Sequence, residues 1–184
     1  GDAGRPVDVA RLRIVGEPAV AELADVVAAP ARDPPGRVER ARVVLAHGNG
    51  GRYMRELIEQ VFARHLANPL LNAQTDAVSL PPLNGTAVFT TDGFIVHPLE
   101  FPGGDIGTLA VHGTVNDLAV SGATPLYLSL NAFIEEGLEW QQLDRIIRSL
   151  AQAAQAAGVQ VVAGDTKVLR RGEGGGLYLA TSGI

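Results

Sequence analysis

The stretch "FPGGDIGTLAVHGTVNDLAVSGA", residues 101–123, decides the fold, because it contains the most hydrophobic helix that the sequence predicts. Asn116 and Asp117 nevertheless stand in the middle of this run, and His112 lies one turn before Asn116. Residues four apart share one line along a helix, so these polar groups leave the apolar positions free to face a sheet. We expect a buried helix whose amide and carboxylate reach a site at the sheet edge. The residues expected to face the sheet are Val111, Val115, Leu118 and Ala119.

The segments around this helix predict an α+β domain. Asp105 can cap the helix N-terminus, and Gly122 can end the helix. Apolar runs on both sides give the order β-α-β-β-β-α-β-α-β-β, with the helices on one face of a sheet. The predicted strands are VVLAH (43–47), AVSL (77–80), TAVFTTD (86–92), FIVHPL (94–99), PLYLSLNAFIEE (125–136), VQVVAGD (159–165) and LYLATSGI (177–184), with RRGEGGG (170–176) as a hairpin connection. The other predicted helices are RYMRELIEQVFARHL (52–66), with His65 on its surface, and LEWQQLDRIIRSLAQAAQAAG (138–158).

Composition excludes several classes of function. The chain has 184 residues, a net charge of −5 and no cysteine. Disulfides, thiolate metal sites and a cysteine nucleophile are therefore excluded within these residues. The negative charge argues against a nucleic-acid partner, and no apolar run is long enough for a membrane span. A cytoplasmic protein is expected.

The organisation along the chain predicts one domain with an N-terminal arm. Residues 1–42 are rich in Ala, Arg, Asp and Pro, and we interpret them as an arm or linker with a short helix near 19–29. Residues 43–184 form the predicted domain. Because the sequence stops at an apolar strand without a polar tail, we expect that a C-terminal domain is absent from it.

The acidic residues favour a magnesium site. Asp92 and Asp165 each follow an apolar strand, where side chains can converge at one edge of a sheet. Asp76 and Asp117 add further carboxylates. Such groups repel one another unless a hard cation neutralises them, and Mg²⁺ with oxygen ligands is the usual solution. The alternative is that each Asp caps a turn or a helix start.

Two further features suit a phosphate ligand. The run HGNGG (47–51) precedes a helix, so its amides could hold an anion, although a tight turn explains it equally well. Lys167 follows Asp165 by two residues and could stabilise a transferred phosphoryl group, although an exposed lysine at a strand end is common. The residues alone thus predict a Mg²⁺-dependent nucleotide or phosphate site.

Three longer runs carry a resemblance to a known family. They are FTTDGFIVHPLEFPGGDIGTLAVHGTVNDLAVSGATPLYLS (89–129), FIEEGLEWQQL (133–143) and VVAGDTKVLRRGEGGGLYLATSGI (161–184). Together they closely resemble the HypE family of hydrogenase maturation factors, in the AIR synthetase or PurM-like superfamily. The likeness covers residues 43–184. It implies an AIR synthetase-like N-terminal domain, with a mixed sheet that has helices on one face and pairs two subunits into a homodimer.

The resemblance also implies a chemistry. HypE proteins carry a C-terminal cysteine that the partner HypF loads with a carbamoyl group. They use ATP and Mg²⁺ to dehydrate this carboxamide to a thiocyanate, whose cyano group passes to iron in the HypC–HypD complex for [NiFe]-hydrogenase. The present sequence lacks that thiol. We therefore expect the ATP-binding part of such an enzyme, inactive in dehydration by itself.

The resemblance assigns roles to individual residues, while leaving open which of Asn116 and Asp117 contacts the metal. Gly93 stands where the family usually has a serine, and Asn49 interrupts a more glycine-rich loop. The implied metal ligands are Asp76, Asp92, Asn116 and Asp165; the nucleotide-binding residues are Gly48, Asn49, Gly50, Gly51, Thr90, Thr91, Asp165 and Thr166; the catalytic residues are Lys167, Asp92 and Asp117.

Two other interpretations stay open. One is a different enzyme of the superfamily: a thiamine-phosphate kinase, a selenophosphate synthetase or a purine-biosynthesis enzyme. QTDAVSL (74–80) lacks the paired aspartates expected of the kinase, and no cysteine lies near HGNGG, as the selenium enzyme would need. The other is a non-catalytic dimerisation or docking module.

Overall fold

The computed structural model describes residues 42–71, 75 and 77–184. The helix predicted near 19–29 and the predicted ligand Asp76 lie outside the described residues. The helices are α1 (Arg52–Leu57), α2 (Arg64–Leu66), α3 (Ile106–Val120) and α4 (Trp140–Ala157), with a 3-10 turn at Leu45–Gly48 and a π-helical stretch at Ile58–Ala63 that joins α1 to α2. The strands are β1 (Thr90–Phe94), β2 (Glu100–Phe101), β3 (Gly104–Asp105), β4 (Tyr127–Glu135), β5 (Gln160–Leu169) and β6 (Leu177–Gly183).

Four strands form a mixed sheet in the order β1-β6-β4-β5. Strands β4 and β5 are parallel, whereas β6 is antiparallel to both of its neighbours. Helix α3 packs on β1 and β6, and α4 packs on α3 and β5. Along β4 the residues alternate between buried and less buried, so one face, here called the inner face, lies under the helices and the outer face does not. The predicted α+β class, with helices on one face, is confirmed.

Local sequence signals explain where the two long helices begin and end. Asp105 caps α3 by accepting a hydrogen bond from the Thr108 N–H at 2.9 Å, and Gly158 ends α4 with a φ of +72°. Gly122, with a φ of +78°, follows the end of α3. These caps were predicted and are confirmed. The apolar stripe of α4 is buried, with these residues: Leu143, Ile146, Ile147, Leu150 and Ala154.

Several predicted strands are wrong. VVLAH is not a strand, because the His47 ring Nδ1 accepts the Val44 N–H at 2.9 Å and the chain turns. AVSL forms no strand, and β1 starts only at Thr90. FIVHPL contributes only Phe94 to β1, since Pro98 has no N–H to donate and the carbonyl of Leu99 accepts the Ile106 N–H instead.

The connection RRGEGGG is not a hairpin, because β4 lies between β5 and β6 in the sheet. The segment crosses from one side of β4 to the other. Glu135, at the end of β4, fixes it by accepting the N–H groups of Gly172 and Gly176 at 2.6 and 3.0 Å. These hydrogen bonds, with that of Gly172 first, lower the pKa of the Glu135 carboxyl.

His65 is not a surface residue as predicted. Its side chain is 12% exposed, and its Nε2 lies 2.7 Å from Asp144 Oδ1 on α4. This contact joins the helical segment 52–66 to α4. None of the helices in the described part of the chain has the length and hydropathy needed to span a lipid bilayer.

Candidate functional site

Helix α3 and strand β1 bring together two of the predicted acidic residues. Asp92 and Thr90 lie on the inner face of β1, next to α3. Thr90 Oγ1 donates to Asp117 Oδ2 at 3.3 Å. Asp92 accepts the N–H of Gly93 at 2.7 Å through Oδ1, while its Oδ2 is directed toward Gly113, one turn before Asp117. We call this group (Thr90, Asp92, Gly113 and Asp117) the α3–β1 seam.

Gly113 makes the seam possible. A Cβ at this position would lie 2.5 Å from Phe94 Cε1 and 3.8 Å from Asp92 Oδ2. Because real Cβ contacts are longer than the first of these distances, a side chain here would displace the Phe94 ring. Gly113 is not among the residues that the sequence predicts for the site. The sequence did contain a signal for this residue, because a glycine inside a helix usually has a packing or functional reason.

The structure places Asn116 and Asp117 in different surroundings. Asn116 is exposed and its side chain makes no hydrogen bond to the described residues, whereas the Asp117 side chain accepts a hydrogen bond from Thr90 at the seam. One expectation for the buried face of α3 needs correction. Ala119 is exposed, and Thr114 is buried in its place, with its hydroxyl bonded to that of Thr181 on β6. The buried face of α3 therefore lies along residues 107, 110, 111, 114 and 118.

Asp165 and Lys167 lie far from the seam within one chain. They stand on β5, at the opposite end of the sheet from β1. Asp165 is paired with Asn131 and Lys167 with Phe133, both on the outer face. Three strand spacings of about 4.8 Å give roughly 14 Å between the two edge strands. The expected convergence at strand ends does not hold, because Asp92 and Asp165 both lie in mid-strand.

The environments of these carboxylates differ. Lys167 Nζ lies 2.6 Å from Asp165 Oδ2, and both side chains are about half exposed. In contrast, neither Asp92 nor Asp117 pairs with a lysine, arginine or histidine of the described chain. Two carboxylates at one seam without a basic partner fit a hard cation. Yet no three acidic or histidine side chains among the described residues lie close enough to hold a metal ion by themselves, so further ligands must complete such a site.

The glycine-rich loop lies near the β5 edge. A Cβ at Gly48 would lie 3.0 Å from the Cβ of Val168, so the loop packs directly on the strand that carries Lys167. Gly50 has a φ of +73°, which a side chain rarely allows, and Gly51 is the N-cap of α1. Asn49 donates its N–H to the carbonyl of Ala46 at 3.5 Å.

The two remaining predicted threonines lie apart from each other. Thr91 is on the outer face of β1, where its hydroxyl donates to the Thr181 carbonyl at 3.3 Å. Thr166 is on the inner face of β5 and is buried. The structure thus groups most of the predicted residues into three places: the α3–β1 seam, the outer face of β5 with the adjacent glycine loop, and the inner face of β5. Thr91 on the outer face of β1 and Asn116 on α3 lie outside these groups.

Comparison with known proteins gives a consistent result. The family model described as AIR synthase related protein, N-terminal domain, matches residues 74–184, which is more than half of the chain. Carbamoyl dehydratase HypE from Rhizobium leguminosarum bv. viciae is 49% identical over 147 residues, which cover 80% of this chain and 42% of that protein. The chain therefore spans about two fifths of the length of this relative.

Solved structures agree with the sequence comparison. A crystal structure of hydrogenase maturation protein HypE in complex with ATP superposes with a TM-score of 0.74 at 48% identity, and covers 76% of this chain and 42% of that one. A chain from a HypE–HypF complex has a TM-score of 0.53 at 50% identity, with 69% and 41% covered.

Proposed function

We propose, from the premise that this chain belongs to the AIR synthase related family and matches the N-terminal part of its HypE members, that it is the ATP- and Mg²⁺-binding domain of a carbamoyl dehydratase. The whole enzyme would dehydrate a cysteine S-carboxamide to a thiocyanate for the cyanide ligands of [NiFe]-hydrogenase. A solved HypE relative is in complex with ATP. The observation that carries the proposal is the α3–β1 seam, where Asp92 on β1 and Asp117 on α3 both contribute a carboxylate and neither has a basic partner in the described chain.

The seam supplies the metal ligands in this proposal. Asp92 and Asp117 hold Mg²⁺, and Thr90 orients Asp117 through its hydrogen bond. Asp76 and the phosphates of ATP complete the oxygen ligands. ATP contributes the phosphoryl group that converts the carboxamide oxygen into a leaving group. Asn116 is not needed as a ligand.

Asp165 and Lys167 act, in our proposal, on a second copy of the chain. Strands β1 and β5 end the sheet on its two sides, and each therefore has one open edge in the described chain. A homodimer that pairs the β1 edge of one copy with the β5 edge of the other brings Lys167 and the glycine loop toward the partner's seam. Lys167 then places a positive charge beside the transferred phosphoryl group.

The other parts of the reaction lie outside these 184 residues. The sequence has no cysteine, so we propose that the acceptor thiol and a second domain are supplied by another part of the protein. The solved HypE–HypF complex contains a relative of this chain. We propose HypF as a partner here, and the HypC–HypD complex as the acceptor of the cyano group. The cytoplasmic location expected from the sequence stays a prediction.

Calorimetry of Mg²⁺–ATP binding tests the proposal. We expect a measurable heat with the wild-type chain, and an affinity at least tenfold lower for Asp92→Asn, because the amide has no charge to offer the cation. Glu59→Gln makes the same chemical change at an exposed position of the π-helical stretch and should bind like the wild type. Absence of heat from the wild-type chain would instead favour the non-catalytic docking module.

A further inference from the structure

A groove of about 600 Å³ lies between the end of the helical segment 52–66 and the second half of α4, with the first residues of β5 at its base. The base is apolar and buried, and is formed by Leu66, Ala154, Val159 and Val161. None of the residues proposed to bind ATP or Mg²⁺ lines this groove. The proposed function therefore gives it no role.

The charge of the groove is opposite to that of the chain. The sequence has a net charge of −5, yet Arg64 and Arg148 line the groove and no Asp or Glu of the described chain does. Arg148 is exposed and makes no ion pair with the described residues. Arg64 lies 4.0 Å from Asp144, whose carboxylate is closer to His65, at 2.7 Å. Both guanidinium groups are therefore available to a carboxylate from outside the chain.

Several other lining residues carry neutral side-chain amides. Gln152 and Gln155 on α4 and Gln160 at the start of β5 are exposed and line the groove. A side-chain amide offers donors and an acceptor, which match the C=O and N–H of a peptide group. Asn68 already makes such a contact, since its Nδ2 donates to the backbone carbonyl of Val161 at 2.8 Å. The amides thus suit a peptide backbone, while the arginines suit acidic side chains.

The length of the groove sets the size of its ligand. The ten residues of α4 from Arg148 to Gly158 span about 15 Å at 1.5 Å per residue. Roughly four to five residues of extended chain cover this distance.

The polarity of the groove sets where the charges of a ligand lie. Arg64 is at the same end as Arg148, because its neighbour Asp144 stands one turn before Arg148 on α4. The other end is the C-terminus of α4, where the helix dipole disfavours anions. The two arginines stand on opposite walls, and successive side chains of an extended peptide point to opposite sides. Two adjacent acidic residues can therefore reach both guanidinium groups.

We propose that this groove binds a short, extended acidic segment of a protein partner. Its acidic side chains pair with Arg64 and Arg148, and its backbone lies along the amides of α4 and β5. A compact anion such as phosphate would use the arginines but leave the amides and the apolar base unfilled. The inference does not depend on ATP binding, because the groove shares no residue with the site proposed for ATP and Mg²⁺.

NMR titration of the ¹⁵N-labelled chain tests the proposal. The probe is the acetylated and amidated peptide Ala-Ala-Glu-Glu-Ala-Ala, and shifts of the backbone amides at residues 148–161 report its binding. We expect these shifts to saturate. The peptide Ala-Ala-Gln-Gln-Ala-Ala has the same length without the charges, and we expect it to bind at least tenfold more weakly, since hydrogen bonds to charged groups are the stronger ones.

Three matched variants locate the contact. Arg64→Gln and Arg148→Gln should each lower the affinity for the acidic peptide at least tenfold and leave the glutamine peptide unaffected. Arg55→Gln makes the same change at an exposed position of α1 outside the groove and should have no effect. Mg²⁺–ATP affinity should stay the same in Arg64→Gln and Arg148→Gln. Circular dichroism confirms that each variant is folded.

Four results would overturn the proposal. The first is equal binding of the two peptides, and the second is an effect of Arg55→Gln as large as that of Arg148→Gln. The third is displacement of the acidic peptide by inorganic phosphate of equal affinity, since a simple anion site would then be sufficient. The fourth is the absence of shifts at residues 148–161 with millimolar acidic peptide.

Discussion

Gly113 shows how one missing side chain shapes the seam. Alanine is normally the better helix residue by up to about 1 kcal/mol. At this position, however, the added Cβ would overlap the Phe94 ring. Local propensity and tertiary packing therefore oppose each other, and the packing term is larger because a crowded core side chain must leave its rotamer.

We predict that Gly113→Ala lowers the free energy of unfolding by about 1–3 kcal/mol, as overpacked cores do. The displaced Phe94 ring also disturbs Asp92, so Mg²⁺–ATP affinity falls. Urea unfolding and calorimetry measure the two effects. Phe94→Leu makes room for the added Cβ. The double variant should therefore be more stable than the sum of the two single changes in unfolding free energy predicts. Simple additivity would show that the two residues do not clash.

An experiment on single residues can decide whether Asn116 or Asp117 contacts the metal. We predict that Asp117→Asn weakens Mg²⁺–ATP binding at least tenfold, because it removes a metal ligand that Thr90 holds in place. Asn116→Ala should change the affinity less than about threefold, since Asn116 has no described partner. The opposite ranking in calorimetry would assign the ligand to Asn116.

At the scale of elements, polar contacts fix how α4 packs on its neighbours. Glu100 on β2 accepts two hydrogen bonds from Arg145 on α4, both at 2.9 Å, and one from Gln142 at 3.1 Å. Asp105 binds the hydroxyl of Ser149 on α4 in addition to capping α3. The sequence predicted the cap but not these contacts, since the partners lie more than forty residues apart.

The Glu100 contact predicts a pH dependence. The hydrogen bond from Arg145 lowers the pKa of the Glu100 carboxyl below its ordinary value. The contact therefore stabilises the fold above the pKa of the unfolded chain, and this contribution is lost as the pH falls through the lowered pKa of the folded state. We expect Glu100→Gln to cost less than about 1 kcal/mol at pH 7, because the pair is partly exposed.

Urea unfolding of wild type and variant across the acid range measures the effect. The difference between them should vanish at low pH, where Glu100 is neutral in both states. Glu59→Gln, at an exposed position without a described partner, should show no such trend. A difference for Glu100→Gln that stays constant over the whole range would contradict the assignment.

For the whole molecule, the decisive fact is that the acidic seam and Lys167 lie at opposite edges of the sheet. The β1 edge is flanked by Phe89 and Ile95, which are 67% and 74% exposed. An open edge with exposed apolar flanks is a site for strand pairing. A homodimer would cover these side chains and complete the proposed site at the same time.

We predict that Ile95→Lys converts a wild-type dimer into a monomer in analytical ultracentrifugation, because natural edge strands use lysine to prevent pairing. Leu109→Lys, on the exposed side of α3, should leave the dimer intact. A monomeric wild-type chain that binds Mg²⁺–ATP with full affinity would contradict the shared site.

Mixing two variants that each bind Mg²⁺–ATP weakly gives a sharper test of the shared site. Asp92→Asn and Lys167→Ala homodimers should each bind Mg²⁺–ATP weakly. In a mixed dimer, one of the two sites then contains an intact Asp92 from one copy and an intact Lys167 from the other. We therefore predict that the mixture recovers binding. If both residues act within one chain, mixing will restore nothing.

Much of the molecule follows from local patterns in the sequence. The apolar run of α3, the apolar period of α4 and the caps at Asp105, Gly122 and Gly158 determined the helices, and the order of motifs determined the family. These signals are readable because they depend on neighbours a few residues apart. The short strands were predicted less well, since turn chemistry at His47 and Pro98 overrides apolar runs.

Only the tertiary structure decided how the predicted site residues are distributed. Strand order, and hence the separation of Asp92 from Asp165, depends on contacts between distant segments that no local pattern encodes. Register then placed Thr166 on the inner face and Lys167 on the outer face of the same strand. The sequence by itself determined which acidic and basic groups the domain contains, while the pairing of strands decided which of them one chain can bring together.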